Sequence, residues 1–313
     1  MTDVIRETGA RCRNWGKWGE NDERGTINYI SPELIVRAAR LIRRGAVFSL
    51  AIPFDSKGPQ SGGSGFRFNP IHRMTLTGAD FTSGAMSLPG NVGFSDDMVI
   101  MPTQCATQWD ALSHCFVDGK MYNGFDASEI SSYGAKKNSI DKMACGIVGR
   151  GVLIDMPRLK GVPWLEPGYA ITASDLTHAA ERQNVAIGSG DVLLVRTGHI
   201  ALCRDRKSWG DYAGGDAAGL SIHSADWIHD HQIAAVATDT WSMEVRPHEI
   251  AGALHPLHQI FLPQMGLPIG EIFDLEALAE DCAGDSVYEF FLAAPPLPIT
   301  GGVGSPVNPL AIK

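Results

Sequence analysis

Two short stretches of this 313-residue chain concentrate the side chains that do chemistry. The first is Gln104-Cys105-Ala106-Thr107-Gln108-Trp109-Asp110-Ala111-Leu112-Ser113-His114, which places two amides, a carboxylate and an imidazole in one run. The second is His255-Pro256-Leu257-His258, with Glu271 following Leu267-Pro268-Ile269-Gly270. Carboxylate oxygens and imidazole nitrogens are the usual ligands of a divalent ion, and the same groups relay protons as general acids and bases. Histidines three apart share one helical face, so His255 and His258 would point together. The plainer reading of both stretches is a polar loop that satisfies backbone groups and a pair of ordinary hydrogen-bonded histidines.

Other candidates are weaker. Cys105 or Cys115 beside His114 would make a nucleophile and base pair, but no nearby positive charge argues for a lowered thiol pKa. Ser113 and His114 are neighbours and would point to opposite faces of an extended strand. Asp239 in Thr238-Asp239-Thr240-Trp241 ends an apolar run and could reach the same cleft, while His248 and His255 are either substrate contacts or loop residues. Arg150 and Arg196 lie on or at the end of apolar runs, where pairing with acids such as Asp155 or Asp191 is the default. The GxSxG, HExxH and P-loop signatures are missing, and Gly188-Ser189-Gly190 lacks the third glycine of a dinucleotide loop.

The elements that must position these groups follow from the hydrophobic pattern. Ser31-Pro32 starts a helix, because Ser caps free amides and Pro suits the first turn, and the apolar spacing continues to Gly45. Ala46 to Ile52, His72 to Thr77 and Met98 to Thr103 read as short strands, and the first chemical cluster follows the last of them. Ile147 to Met156 and Asp191 to Thr197 are apolar, β-branched runs that suit strands buried on both faces, with Ala173 to Gln183 as a helix between them. Ile233 to Thr240 is another buried strand after a helix near Ser224 to Asp230, and Tyr288 to Ala294 is a last strand before a Pro-rich tail. Ser61 to Gly65 reads as a surface loop. With no repeat or compositional break, residues 1–313 are expected to form a single domain.

Composition bounds the class. The chain carries 35 acidic and 26 basic residues, a formal charge of -9, with 35 Gly and 18 Pro. An acidic balance opposes general nucleic-acid binding, which needs clustered Lys and Arg. A chain of this length buries about 75% of its unfolded surface, enough for a full core. The N-terminus shows no apolar signal segment, the uncharged stretch from Phe290 to Ile312 is broken by prolines and glycines, and the six cysteines form no CxxC pair. These features predict a cytoplasmic protein with reduced thiols and no membrane partner.

Taken in order, the two clusters resemble the cyclase-type metal-dependent hydrolases, the family of bacterial kynurenine formamidase and isatin hydrolase. That family's signature runs His-x-Gly-Thr-His-x-Asp-x-Pro-x-His, with a later His and Glu. Here Thr107, Asp110 and His114 match, and His258 and Glu271 match downstream. Gln104 and Gln108 replace the first two histidines, Ala106 the glycine and Leu112 the proline. Further similar segments run from Trp15-Gly16-Lys17-Trp18-Gly19 and Gly25-Thr26-Ile27-Asn28-Tyr29 through Asp118 to Gly124, Gly149 to Asp155 and Gly190 to Gly198, to Gly304-Ser305-Pro306-Val307-Asn308-Pro309, so the resemblance spans most of the chain.

The resemblance implies an α/β fold of the cyclase type (swivelling β/β/α-like), with a mixed, largely buried sheet and flanking helices. It implies a homodimer or homotetramer in which the N-terminal arm and helix, residues 1–45, contact a neighbouring subunit. It also implies a divalent metal ion, manganese or zinc, held by Asp110, His258 and Glu271, with His114 as acid or base. A Gln offers a metal only its carbonyl oxygen, so Gln104 and Gln108 would favour a harder cation and one ion rather than two. The reaction expected is hydrolysis of an amide, cyclic amide or lactone, kynurenine formamidase-like, with Trp109, Trp15 and Trp18 stacking on a planar or cyclic small-molecule substrate. The competing readings are a metal-independent hydrolase or lyase using His114, and a non-catalytic small-molecule-binding relic of the fold.

Overall fold

The architecture is a nine-stranded mixed sheet that draws on almost the whole chain. In a computed structural model describing residues 2–61 and 66–313, its strands are β1 (Val47–Ser49), β2 (Gln108–Asp110), β3 (Val148–Asp155), β4 (Val192–Arg196), β5 (Ala235–Thr238), β6 (Ile269–Glu271), β7 (Glu289–Ala293), β8 (Gly304–Pro306) and β9 (Leu310–Ile312). Their order is β1-β9-β7-β3-β4-β5-β6-β2-β8. The middle four, β3 to β6, run parallel, and antiparallel strands extend the sheet on both sides. Parallel strands covered on both faces need apolar residues at every position, and β4 and β5 are buried at every residue. Because β1 pairs with β9, an early segment of the chain and its C-terminal strand lie side by side at one edge of the same sheet.

Helices follow the expected chemistry. Helix α1 (Asp3–Arg11) packs on α5 (Pro256–Ile260), and α2 (Pro32–Ala39) lies on β3. Ser31 caps α2 by accepting from the Leu34 amide at 3.3 Å, with Pro32 in the first turn. The helix stops short of Gly45 because the chain turns away after Ala39, and Arg44 and Ala46 donate their amides to the Lys313 carbonyl. Helix α3 (Ala173–Arg182), opened by a Thr172–Asp175 capping box, crosses from β3 to β4 as anticipated, and α4 (Ala225–Asp230) precedes β5. The N-terminal arm lies on its own chain: Asn14 donates to the Met265 carbonyl at 2.9 Å, and Thr26 Oγ1 donates to the Ala234 carbonyl at 2.8 Å.

Three expectations are corrected. The Pro-rich tail contributes two strands, β8 and β9; Pro306 is tolerated because β8 is a sheet edge. The first chemical cluster is not a loop after a strand, since Gln108–Asp110 is itself strand β2. The strands at Ile71–Leu76 and Asp96–Ile100 pair only with each other, in a hairpin-like excursion outside the main sheet. Of the anticipated Ser61 to Gly65 loop, residues 62–65 lie outside the described residues. Among the described residues no helix is long and apolar enough to cross a membrane, and the six cysteines are unpaired.

Candidate active site

Strand β2 sits between β6 and β8, and its register decides which side chains meet. Gln108 lies opposite Glu271, Trp109 opposite Gly270, and Asp110 opposite Ile269. Alternation along a strand puts Gln108 and Asp110 on one face and Trp109 on the other. Gln108 Nε2 donates to Glu271 Oε2 at 2.8 Å, which fixes the carboxylate beside Asp110. Thr107 clamps the strand from its near end, donating to the Ile272 carbonyl at 2.6 Å and accepting from the Ile52 amide at 3.0 Å.

The histidine arrives from α5. His255 turns the chain into that helix with a left-handed backbone (φ 47°), and His258 follows one turn later. Glu244, between β5 and α5, organises the approach: its Oε2 accepts from the Leu257 and His258 amides at 2.9 and 3.1 Å, satisfying the helix's free N–H groups. Its Oε1 accepts from Ser242 Oγ at 2.9 Å, pairs with His255 Nδ1 at 2.8 Å and lies 2.7 Å from His258 Nδ1. That contact turns His258 Nε2 toward Glu271 Oε1 at 3.4 Å and Asp110 Oδ2 at 3.8 Å. A carboxylate holding the far nitrogen of a metal-binding histidine is the usual outer partner of such a ligand.

Asp110, His258 and Glu271 therefore converge, with one ligand atom from each lying within 4.8 Å of the others. All three are buried. Among the described residues both Asp110 oxygens and Gln108 Oε1 are buried without a donor at full hydrogen-bond geometry, the Gln104 amide only bearing on the Asp110 carboxylate. Orphaned acceptors in a buried site are costly, and a cation is the natural partner for three of them at once. Glu244, His255 and His258 also come together, but the Glu244 oxygens already accept from two amides and a hydroxyl, so that group reads as support. Two carboxylates, one imidazole and one amide oxygen make an oxygen-rich set that fits a hard divalent ion better than zinc.

Charge follows geometry. Burial, then the nearby Glu271, pushes the Asp110 carboxyl up from its ordinary range. Burial works against Glu244, yet the His258 and His255 imidazoles hold it well below the usual carboxylate range, and Glu244 in turn holds His258 well above the ordinary imidazole value. Burial, then His258, Arg67 and His255, lowers His114, so its imidazole is neutral. His114 Nε2 is 3.9 Å from Asp110 Oδ1, and its side chain is 23% exposed where Asp110 is fully covered. The site is thus reached from the His114 side.

Of the anticipated residues, Asp110, His258, Glu271 and Gln108 meet in one place and His114 borders it. Gln104 differs from expectation: Thr103 Oγ1 donates to its oxygen at 2.8 Å, and its Nε2 faces His114 Nδ1 at 3.4 Å and bears on the Asp110 carboxylate, so it turns its amide nitrogen, not its oxygen, to the site. Trp109 is not available for stacking on a substrate. It is fully buried on the opposite face, against Phe273 at 5.1 Å between rings, with Nε1 donating to the Ala294 carbonyl at 2.9 Å. Trp15 donates to the Pro263 carbonyl at 2.7 Å and Trp18 packs edge-on against Tyr29, so within one chain neither lines the site. Asp239 caps the turn after β4 through the Thr197 and Gly198 amides, both at 2.7 Å, and does not line the cleft. Burial pushes the Cys105 and Cys115 thiols up to about 11, which removes them as nucleophiles at neutral pH. Arg150 pairs with Asp191 at 2.7 Å and Arg196 with Asp155 at 2.8 Å, as their positions suggested. Glu244, Arg67 and Trp241 were missed; the one available signal was Glu244 as a lone acid between Met243 and Val245 soon after a buried strand.

With the geometry in place, comparison with known proteins assigns the class. The Cyclase family model, described as "Putative cyclase", matches residues 48–245, and the chain belongs to that family. A crystal structure described as a novel cyclase is 44% identical, covers 96% of this chain and 100% of its own, and superposes with a TM-score of 0.88. Isatin hydrolase A from Labrenzia aggregata, bound to benzyl benzoate, is 19% identical with a TM-score of 0.61, covering 88% of this chain and 94% of its own. Isatin hydrolase A from Ralstonia solanacearum is likewise 19% identical, with a TM-score of 0.62 and coverage of 90% and 97%. These two establish a common fold. A search of curated proteins finds no match.

Proposed function

We propose that this protein is a metal-dependent hydrolase of an amide, cyclic amide or lactone. One observation carries the reading: Asp110, His258 and Glu271 converge in a buried site where, among the described residues, neither Asp110 oxygen meets a donor at full hydrogen-bond geometry. Those three residues, with the Gln108 oxygen, would hold a single divalent ion, manganese in preference to zinc. Bound there, the ion lowers the pKa of a water molecule and polarises the substrate carbonyl.

The chain's own residues supply the proton traffic. Neutral His114 takes a proton from the attacking water at Nε2, the atom facing Asp110, and returns it to the leaving nitrogen or oxygen. A base at Nε2 needs its other proton on Nδ1, facing an acceptor. The Gln104 amide can present either end to Nδ1, because its partner Thr103 carries a hydroxyl that donates or accepts. Glu244 keeps His258 oriented, and the covered flank formed by β2 and β6 excludes bulk water. The kinship with a cyclase and the fold shared with isatin hydrolases support a small planar or cyclic substrate.

The reading includes a second copy of the chain and a cytoplasmic location. The excursion formed by Ile71–Leu76 and Asp96–Ile100 leaves Met74, Met98, Val99 and Ile100 about half exposed, and an isolated two-stranded ribbon is marginal in water. A homodimer or homotetramer would cover it. Elemental analysis of protein purified without chelators, with a screen of aryl formamides, cyclic amides and lactones, tests the central claim. Metal near one ion per chain, lost with activity in Asp110→Ala and His258→Ala, supports it. Activity in metal-free protein refutes it.

A further inference from the structure

Arg67 stands at the open side of the site and is not paired there. Its Nη1 donates to the Gln104 carbonyl at 3.3 Å, and among the described residues no carboxylate forms a close ion pair with it, although its charge reaches the Asp110 carboxylate. Its guanidinium lies 5.1 Å from the centroid of the Trp241 ring. A guanidinium over an aromatic face keeps its in-plane donors available, and with one Nη1 hydrogen on the Gln104 carbonyl the Nε–Nη2 edge is left to grip a carboxylate through two parallel bonds. Trp241 is held in turn, donating Nε1 to Gln60 Oε1 at 3.3 Å, while Gln60 Nε2 donates to the Cys105 carbonyl at 2.8 Å. Arg246 also lies near that ring, at 5.8 Å, but its guanidinium is spent on the Gly214 and Gly215 carbonyls. Arg67 is thus a positioned cation with donors to spare, on the His114 side of the site.

We propose that Arg67, stacked on Trp241, binds a carboxylate carried by the substrate, so that the enzyme selects anionic amides over their neutral counterparts. This rests on the hydrolase reading for the term substrate, but the binding claim can be read without turnover. A carboxylate gripped by Arg67 would place the rest of the molecule toward His114 and Asp110. The positive charge would also repel cationic amides from the same entrance.

The test measures binding of 2-formamidobenzoate and of formanilide, the same aryl formamide without the carboxylate, by calorimetry. It uses the wild-type protein, Arg67→Gln and Arg67→Lys, each checked by thermal melting. Wild type is expected to bind the anion at least ~10-fold tighter than the neutral probe. Arg67→Gln is expected to weaken the anion ~10–100-fold, the range of a charge-assisted bond, and to leave formanilide unchanged. Arg67→Lys, which keeps charge but not the fork, should recover part of the loss. Equal affinity for both probes in wild type, binding of neither, or a preference that survives in Arg67→Gln overturns the proposal. Turnover is scored apart: an Arg67-dependent preference without cleavage by metal-loaded protein sustains this proposal and counts against the hydrolase reading. Cleavage of both probes with equal affinity does the reverse.

Discussion

Gly270 lies directly across the sheet from Trp109, and a methyl group on it would stand 2.7 Å from the indole ring and 2.6 Å from the Ala237 side chain. The glycine before Glu271 is therefore a packing requirement of the indole that backs the site. Gly270→Ala forces the sheet apart at the point where Glu271 meets Gln108. Overpacking of this kind costs about 1–3 kcal/mol. A lowered melting temperature together with weaker divalent-ion binding is expected, whereas an unchanged melt would mean that the strands yield freely.

Glu244 does not face the proposed ion, yet it holds His258 by the ring and by the backbone amide. Outer partners of this kind are worth about 10–100-fold in metal affinity. Glu244→Gln is expected to lose that much in a manganese titration, and Asp110→Asn, which removes a ligand charge, to lose more. Equal affinity in Glu244→Gln and wild type would assign the residue to helix capping alone.

The two glutamines divide into different roles, and one can be tested by substitution. Gln108 sits against Glu271 on the ligand side, where the family signature carries an imidazole. Gln108→His should therefore shift preference toward zinc, by about tenfold or more relative to manganese. Competitive loading followed by elemental analysis reads the ratio directly. Gln104→His, placed against His114 and only flanking Asp110, should move the ratio far less.

A separate acid sensitivity comes from His199, which packs against Tyr212 at 4.7 Å between rings and has no partner for Nδ1. Burial lowers its pKa from 6.5 to about 4. Below about pH 6.5 the unfolded chain takes up a proton that the folded chain refuses, so this contribution to stability is lost as pH falls toward 4 and changes no further beneath it. Linkage puts the loss on the order of 3 kcal/mol. His199→Leu should flatten that limb of a denaturant-midpoint curve; an unaltered slope would place the sensitivity elsewhere.

The central strands and the α3 crossover were legible because runs such as Val192 to Arg196 are apolar at every position, which only a sheet buried on both faces accepts. The converging side chains Asp110, His258 and Glu271 were legible as residue types in the order of the family signature. Strand β2 was not, since three residues rich in polar groups carry no strand period, and what makes them a strand is pairing to β6 and β8 far along the chain. Trp109 misled for the same reason: beside polar residues it reads as site-facing, and only the alternation of a strand turns it to the core. Arg67 and Trp241 escaped because an arginine in a Gly/Ser-rich stretch has no local signature of what it faces.

The insertion of β2 between β6 and β8 bears on how the chain acquires its function as it is made. Gln108 and its partner Glu271 are 163 residues apart, and the other neighbour, β8, comes later still. At ordinary rates of ribosomal synthesis, about 5–20 residues per second, strand β2 waits roughly ten seconds or more for a first mate. No nascent fragment ending before Glu271 holds all three converging side chains. Assembly of the proposed site is thereby postponed until the sheet is nearly whole, and a chain released early carries an unmated polar strand.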